Sequence, residues 1–238
     1  MPEQKVNISA RELVEDKIRS GIAVGDFLPG EPLREREICE LTGVSRSAVR
    51  EAFRSLEAEG LITTVRYRGP MVSQLSVEEV RSIYELRGIL ESSCAQLFTQ
   101  RASAGQRASL RECVEEIGRG HATQNMVLVI TSSKNFYQVL TEGTGNVAIG
   151  QTLFSLLNRL ALFRFSSTRW PGRAESSMRE LRAIITAIEA DDAAAAAQRA
   201  VEHTDASGEI ALRVIEERNR GAAASGRARA RKSARAQG

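Results

Sequence analysis

The sequence predicts a mainly α chain, with an N-terminal winged helix-turn-helix carrying a small β-wing and a C-terminal all-α helical bundle. Three observations carry this. The stretch at 41–62, LTGVSRSAVREAFRSLEAEGLI, places a glycine turn and a serine cap ahead of an apolar stripe at helical spacing, Val49, Ala52, Phe53 and Leu56. A β-branched run, LITTV, follows at once and is broken by RYRGP before MVS resumes an extended pattern. Residues 77–218 then hold helical periods joined by short connections, with no convincing strand.

In chain order, Ser9 caps a first helix over 9–20 whose apolar side is Leu13, Val14 and Ile18, and Gly21 is expected to stop it. Gly25, Pro29, Gly30 and Pro32 make a loop, and a short helix over 34–41 turns Ile38 and Leu41 inward. The third helix is capped by Ser45 and ended by Gly60; Arg46, Ser47 and Arg50 crowd its first turns, on the face away from the apolar stripe. The hairpin after it carries Arg66, Arg68 and Gly69 at its tip. Taken alone, that hairpin fits a solvated turn as well as a phosphate-contacting wing.

Gln74 and Leu75 form a short hinge, so the boundaries expected are a winged helix-turn-helix at 1–75, a bundle at 76–218 and a tail at 219–238. Ser76 and Glu79 make a capping box for a long helix with Val80, Ile83, Leu86, Leu90, Ala95 and Leu97 or Phe98 inward. Further helices are predicted over 103–117, 126–141, 147–166, 176–190 and 191–218, with GRGHATQN, GTGN and TRWPGR as breaks. The 147–166 helix is apolar on most of its circumference, which predicts a place in the middle of the bundle. Residues 219–238 lack an apolar period and predict a disordered basic tail, suited to solubility or to sequence-independent attraction to DNA.

The net charge of +3 is that of a basic protein, yet it does not mark a basic domain. Residues 1–75 carry 11 basic and 12 acidic side chains, and residues 220–238 carry six basic and none acidic. The excess sits in the tail, so any DNA binding has to come from the placement of individual arginines. Cys39, Cys94 and Cys113 are odd in number and widely spaced, which fits neither a disulfide framework nor a zinc site and predicts reduced, buried thiols. The polar start MPEQKVN and the absence of a long apolar run lead to the expectation of a cytoplasmic chain. Enzyme signatures are missing: there is no Ser-His-Asp set, GK[ST] loop or H-E-x-x-H, and Gly143-x-Gly145 is a helix-end turn without the strand a dinucleotide site needs.

The string GVSRSAVREAFRSLEAEGLI, preceded by PGEPLREREICELT and followed by RYRGPMVS, resembles the winged-helix domain of GntR-type bacterial transcription regulators. IYELRGILESSCAQLFTQRAS, NFYQVLTEGTGN and RAIITAIEADDAAAAAQRAVEHT resemble the helical ligand-binding domain of the FadR-like branch, the FCD domain. Over roughly residues 9–217 the resemblance implies a homodimeric regulator, expected to be a repressor, that binds a pseudo-palindromic operator on double-stranded DNA and responds to an effector held in the bundle. Carried over by position, it implies DNA contacts from Arg36, Ser45, Arg46, Ser47, Arg50, Arg68 and Gly69. Ala48 stands where the family often has proline, and both suit a first helical turn.

FCD domains commonly hold a divalent metal on an aspartate, a histidine four residues later and one histidine on each of the last two helices. Those places fall here on Ser133, Tyr137, Leu181 and His203, and a serine and a leucine cannot replace a carboxylate and an imidazole. His121, the other histidine, is expected in a loop. The expectation is therefore no metal and no cofactor, with a small organic-acid-type, anionic effector near Arg87, Ser133, Tyr137, Arg159 and His203. Arg164 is a further inward candidate. An arginine inside a bundle must be paired or reach solvent, which is the reason to look for a carboxylate partner. The competing reading is a non-sensing DNA-binding or architectural protein whose pocket has degenerated.

Overall fold

A computed structural model describes residues 9–160 and 170–235, with side chains as far as residue 220. Helix α1 (Ala10–Val24) opens on a reciprocal box in which Ser9 N–H donates to Glu12 at 2.8 Å and Glu12 N–H donates to Ser9 at 3.2 Å. It does not stop at Gly21. That glycine is buried inside the helix because a Cβ there would lie 2.5 Å from the ring of Phe27, which packs back on it. The helix ends at Gly25, at φ 86°, the left-handed position glycine adopts without steric cost.

Helices α2 (Glu35–Thr42) and α3 (Arg46–Ala58) meet at Gly43, and the wing pairs β1 (Ile62–Val65) antiparallel with β2 (Gly69–Val72), Ile62 opposite Val72 and Val65 opposite Gly69. A bridge from Pro32 to Met71 lays the α1–α2 connection along the wing. Val14, Ile18, Ile38, Val49, Leu56, Ile62 and Val72 form one closed core. Leu13 and Leu41, expected inside, are about half exposed, and Cys39 is only partly buried while Cys94 and Cys113 are buried as free thiols.

The bundle comprises α4 (Val77–Arg101), α5 (Ala104–Ala122), α6 (Met126–Gly143), α7 (Val147–Arg159), α8 (Arg173–Glu189) and α9 (Ala193–Arg235). Capping boxes at Ser76 with Glu79 and at Ser103 with Gln106 start α4 and α5 where the sequence places them. Three boundaries differ. Helix α5 runs on to Ala122, so His121 lies in its last turn and not in a loop, and α8 begins at Arg173, directly after the left-handed Gly172. Helix α9 continues through residues 219–235, where alanine and arginine supply helix propensity without any apolar period.

Packing also revises the expected centre. Helix α4 lies along α9 and α5 along α6, and the innermost residues of α4 include Arg87 and Glu91. Leu86, predicted inward, is 41% exposed because the buried side of α4 is centred on Tyr84, Arg87 and Glu91. Helix α7 is peripheral: it buries Leu153, Leu156 and Leu157 and leaves Val147 74% exposed. The rest of the predicted 147–166 helix, with Arg164, lies outside the described residues. Among the described residues, no helix is long and apolar enough to cross a membrane.

Gly143 marks the closest approach in the bundle core. A Cβ there would stand 2.3 Å from the ring of Phe98, which is fully buried and has nowhere to move. Gly143→Ala should therefore destabilise the chain by about 1–3 kcal/mol through overpacking, although alanine is the better helix former. Urea unfolding followed by circular dichroism measures this, with an unchanged midpoint counting against the packing described.

Candidate functional site

Two regions gather the predicted site residues. The first is the exposed end of α3 with the wing. Ser45 caps α3 by accepting from the Ala48 N–H at 3.4 Å, and its hydroxyl also meets that of Ser47 at 2.9 Å. Arg46, Ser47 and Arg50 are all exposed on the side opposite the apolar stripe. Arg50 Nε donates to Glu35 Oε1 at 2.8 Å, and that bond, with Arg50 and Arg46 as neighbouring charges, holds the Glu35 carboxyl below the usual carboxylate range. Glu35 thus orients the arginine one turn into α3, a contact the sequence reading did not foresee. Arg36 projects from α2 into solvent with Glu40 3.8 Å away.

At the wing tip Arg66, Tyr67 and Arg68 form the turn, and Gly69 has φ 79° with nothing within 4 Å of where a side chain would start. Tyr67 was missed by the sequence reading: it has φ 65°, is 90% exposed, and carries the Arg66 guanidinium 4.8 Å from its ring centroid. A tyrosine and two neighbouring arginines on an open backbone can approach a sugar-phosphate rail without clash.

The second region is a cavity of about 80 Å³ inside the bundle. Arg87, Ser133, Tyr137 and His203 line it together, as the resemblance implies, and Leu181 lines it as well. His121 and Arg173, which the sequence reading left out, face the same space. Arg173 sits at the first position of α8, where only the glycine before it signals a helix start, and the extra turn of α5 brings His121 in.

Both arginines that line the cavity among the described residues are paired. Arg87, 2% exposed, donates from Nε at 2.8 Å and from Nη2 at 2.5 Å to Glu91 Oε1, and Nη2 also donates to the Tyr137 hydroxyl at 3.0 Å. The other oxygen of Glu91 accepts from Tyr137 at 3.3 Å and from Thr204 at 3.0 Å. Burial works against the Arg87 charge, but Glu91, Tyr137 and Tyr84 outweigh it and raise its pKa above the ordinary value. Arg173 forms a two-pronged pair with Glu180 at 2.7 and 2.8 Å and donates to Ser207, while His203 Nδ1 stands 2.7 Å from Glu180 Oε2. Burial pushes the Glu180 carboxyl up, yet His203 and Arg173 prevail and hold it below the usual range. Burial alone lowers the pKa of His121.

Arg159 belongs to neither group. It lies between the two domains, with Nε 3.2 Å from the position of a Cβ on Gly60 and Nη2 3.8 Å from Glu79, because α7 runs along the outside of the bundle towards the end of α3. Next to it, Asn158 donates to Glu59 at 3.3 Å, and the same carboxylate is held by Arg19 of α1.

The positions corresponding to the family's metal ligands do converge on the cavity, but a hydroxyl, a phenol, a hydrocarbon and one imidazole are not a transition-metal donor set. Among the described residues, no three His, Cys, Asp or Glu side chains are grouped to hold an ion. The two buried thiols are held protonated: burial and then Glu91 push Cys94 up to about 12, and burial raises Cys113 as well.

The model of the bacterial regulatory proteins of the gntR family matches residues 10–72, and the FCD domain model matches residues 82–206. The Nta operon transcriptional regulator of Aminobacter aminovorans is 31% identical over 69% of this chain and 76% of its own length. The galactonate operon transcriptional repressor of Escherichia coli K12 is 27% identical over 76% of this chain and 87% of its own. The solved structure of E. coli McbR/YncC superposes with a TM-score of 0.78 at 18% identity, covering 87% of this chain and 99% of that one.

Glu91→Ala should cost about 3–5 kcal/mol, because it strands a buried guanidinium, whereas a loss under 1 kcal/mol in chemical unfolding would show that Arg87 finds another partner. Glu180 provides a pH-dependent counterpart. Its folded pKa is depressed, so its contribution is complete above the ordinary carboxylate value and is lost as pH falls through the lower folded value. The stability gap between the wild type and Glu180→Gln should accordingly narrow on acidification, and a gap that stays constant from neutral to acid pH would contradict the pairing.

Proposed function

The chain belongs to the gntR family of bacterial regulatory proteins, in the branch that carries an FCD domain, and on that premise we propose that it is a repressor that binds operator DNA in a sequence-specific way. The protein is a transcription regulator and not an enzyme. The single observation that carries the reading is the first two turns of α3, where Arg46, Ser47 and Arg50 stand exposed beyond a buried stripe, with Glu35 orienting Arg50. Two such helices in a homodimer would read two half-sites of a pseudo-palindrome, so the separation of the helices sets the operator spacing.

The remaining assignments follow from placement. Arg36, Ser45 and the wing, with Arg68 and Gly69, act on the backbone, whereas Arg46 and Arg50 are the side chains with the reach and the donor fork for base edges. Tyr67 joins the wing contacts. The domain is almost neutral, so specificity comes from these few placed cations.

The bundle cavity is the effector site. Arg87, Ser133, Tyr137 and His203 face it, and an effector that prefers one arrangement of the bundle would shift the separation of the two winged helices by that difference in affinity. Relatives named for the galactonate and Nta operons fit regulation of a catabolic operon by a small molecule. Arg159 is not assigned to the effector, since it packs at the junction between the domains.

Mobility shifts on the DNA upstream of the protein's own gene test the operator reading. Arg46→Ala or Arg50→Ala should weaken specific binding by about 1–3 kcal/mol if each removes a base contact. Arg36→Ala and Arg68→Ala should weaken specific and non-specific binding alike and flatten the salt dependence. Unchanged affinity in both Arg46→Ala and Arg50→Ala would sink the assignment of α3.

A further inference from the structure

The case for an anionic effector rests on arginines that need a carboxylate, and the bundle supplies those carboxylates itself. Glu91 and Glu180 bind Arg87 and Arg173, yet neither glutamate lines the cavity. They stand behind the arginines, so the cavity wall is built from groups whose charges are already matched. Among the described residues of the wall, an incoming carboxylate would be a further buried negative charge with no guanidinium lacking a carboxylate partner, and the desolvation penalty for such an ion is several kcal/mol. An acyl chain fares no better, since it would cover hydrogen-bonding groups without satisfying them.

What the wall does offer is hydrogen bonding in both directions. Arg87 has Nε and Nη2 engaged, and Nη1 has no protein partner among the described residues. The Ser133 and Ser177 hydroxyls line the cavity without a protein partner among the described residues. His203 Nδ1 stands 2.7 Å from Glu180 Oε2, so Nε2 faces away from that carboxylate; in the tautomer that carries its proton on Nδ1, Nε2 is an acceptor. At about 80 Å³, the space is larger than a single water needs and far smaller than an ordinary drug-sized pocket.

Resting on the reading of this cavity as the effector site, we infer that it takes an uncharged, polyhydroxylated molecule of about three or four carbons, a short polyol or small sugar, in preference to the matching carboxylic acid. Hydroxyl groups can donate to His203 Nε2 and accept from Arg87 Nη1, while each serine hydroxyl serves as donor or acceptor. Ile117, Val129, Phe136 and Leu181 give the carbon skeleton an apolar wall. Glu180 is the positioning residue that sets this preference, since it neutralises Arg173 and orients His203 together.

The test is calorimetric titration of the full-length protein with erythritol, threitol and glycerol and, in parallel, with erythronate, threonate and glycerate, each acid sharing its alcohol's carbon skeleton. At least one alcohol should bind about tenfold or more tightly than its acid. Ser133→Val should weaken that binding several-fold without lowering the melting temperature. Glu180→Gln should reverse the order, because Arg173 then lacks a counter-charge and the acid supplies one. A wild type that prefers the acids, or that binds none of the alcohols while still shifting its operator, overturns the inference and leaves the regulator reading standing. Loss of operator binding in the wild type would count against that reading instead.

Discussion

The buried pair of Arg87 and Glu91 is the constraint on which the bundle depends. Its two members lie one helical turn apart on α4, so local geometry makes the pair, but the second oxygen of the carboxylate is met from elsewhere, by Tyr137 on α6 and Thr204 on α9. Three helices are therefore fixed in rotation as well as in distance. An apolar contact tolerates sliding by a fraction of a turn, whereas a desolvated ion pair loses several kcal/mol when one partner is displaced. Arg87 of that pair lines the cavity, with Glu91 behind it, so whatever occupies that space touches the element that fixes the bundle's register.

A second carboxylate does a related job between the domains. Glu59, at the end of α3, is held by Arg19 from α1 and by Asn158 from α7, and Arg159 lies over Gly60. Here α7, peripheral to the bundle core, has its use: it joins α6, which lines the cavity through Ser133 and Tyr137, to the end of α3. These contacts are only partly buried, and each is worth little beside the Arg87 pair. A junction of that strength can yield while the bundle stays folded, which is what a two-state regulator requires of its hinge.

The winged helix-turn-helix was legible in the sequence nearly residue by residue, because its signals are local: Ser45 as cap, Gly43 and Gly60 at the turns, and the Val49 to Leu56 stripe. The capping boxes at Ser76 and Ser103 were legible for the same reason. What failed were inferences about packing. A helix with apolar residues around its circumference was placed at the centre, yet α7 exposes Val147 while α4, with arginine and glutamate on its inner side, is the one enclosed. Periodicity counts hydrophobic residues and cannot see a charge that carries its own counter-charge. Gly21 misled as a helix stop because its reason for being glycine is the ring of Phe27, six residues on and invisible to a rule about helix ends. His121 was expected in a loop because GRGHATQN reads as a break, and Arg173 and Glu180 went unnoticed because the start of α8 at Arg173 is signalled only by the glycine before it.

That last omission changes the chemistry of the site. With Arg87 alone in view, an unmatched cation inside a bundle argues for an acid. With Glu91 and Glu180 present, the guanidinium groups serve as fixed hydrogen-bond donors and not as unsatisfied charges. The positions where the family commonly holds a metal point the same way. Ser133 and Tyr137 present hydroxyls where a carboxylate and an imidazole would bind an ion, and His203 keeps its imidazole but turns Nδ1 to Glu180. A metal site gains affinity from uncompensated negative charge gathered around a cation. Here, among the described residues, the carboxylates stand behind arginines, and the cavity faces guanidinium donors, hydroxyls and imidazole nitrogens with the arginine charges matched inside the bundle, which favours a ligand rich in hydroxyl groups over one that brings a charge of its own.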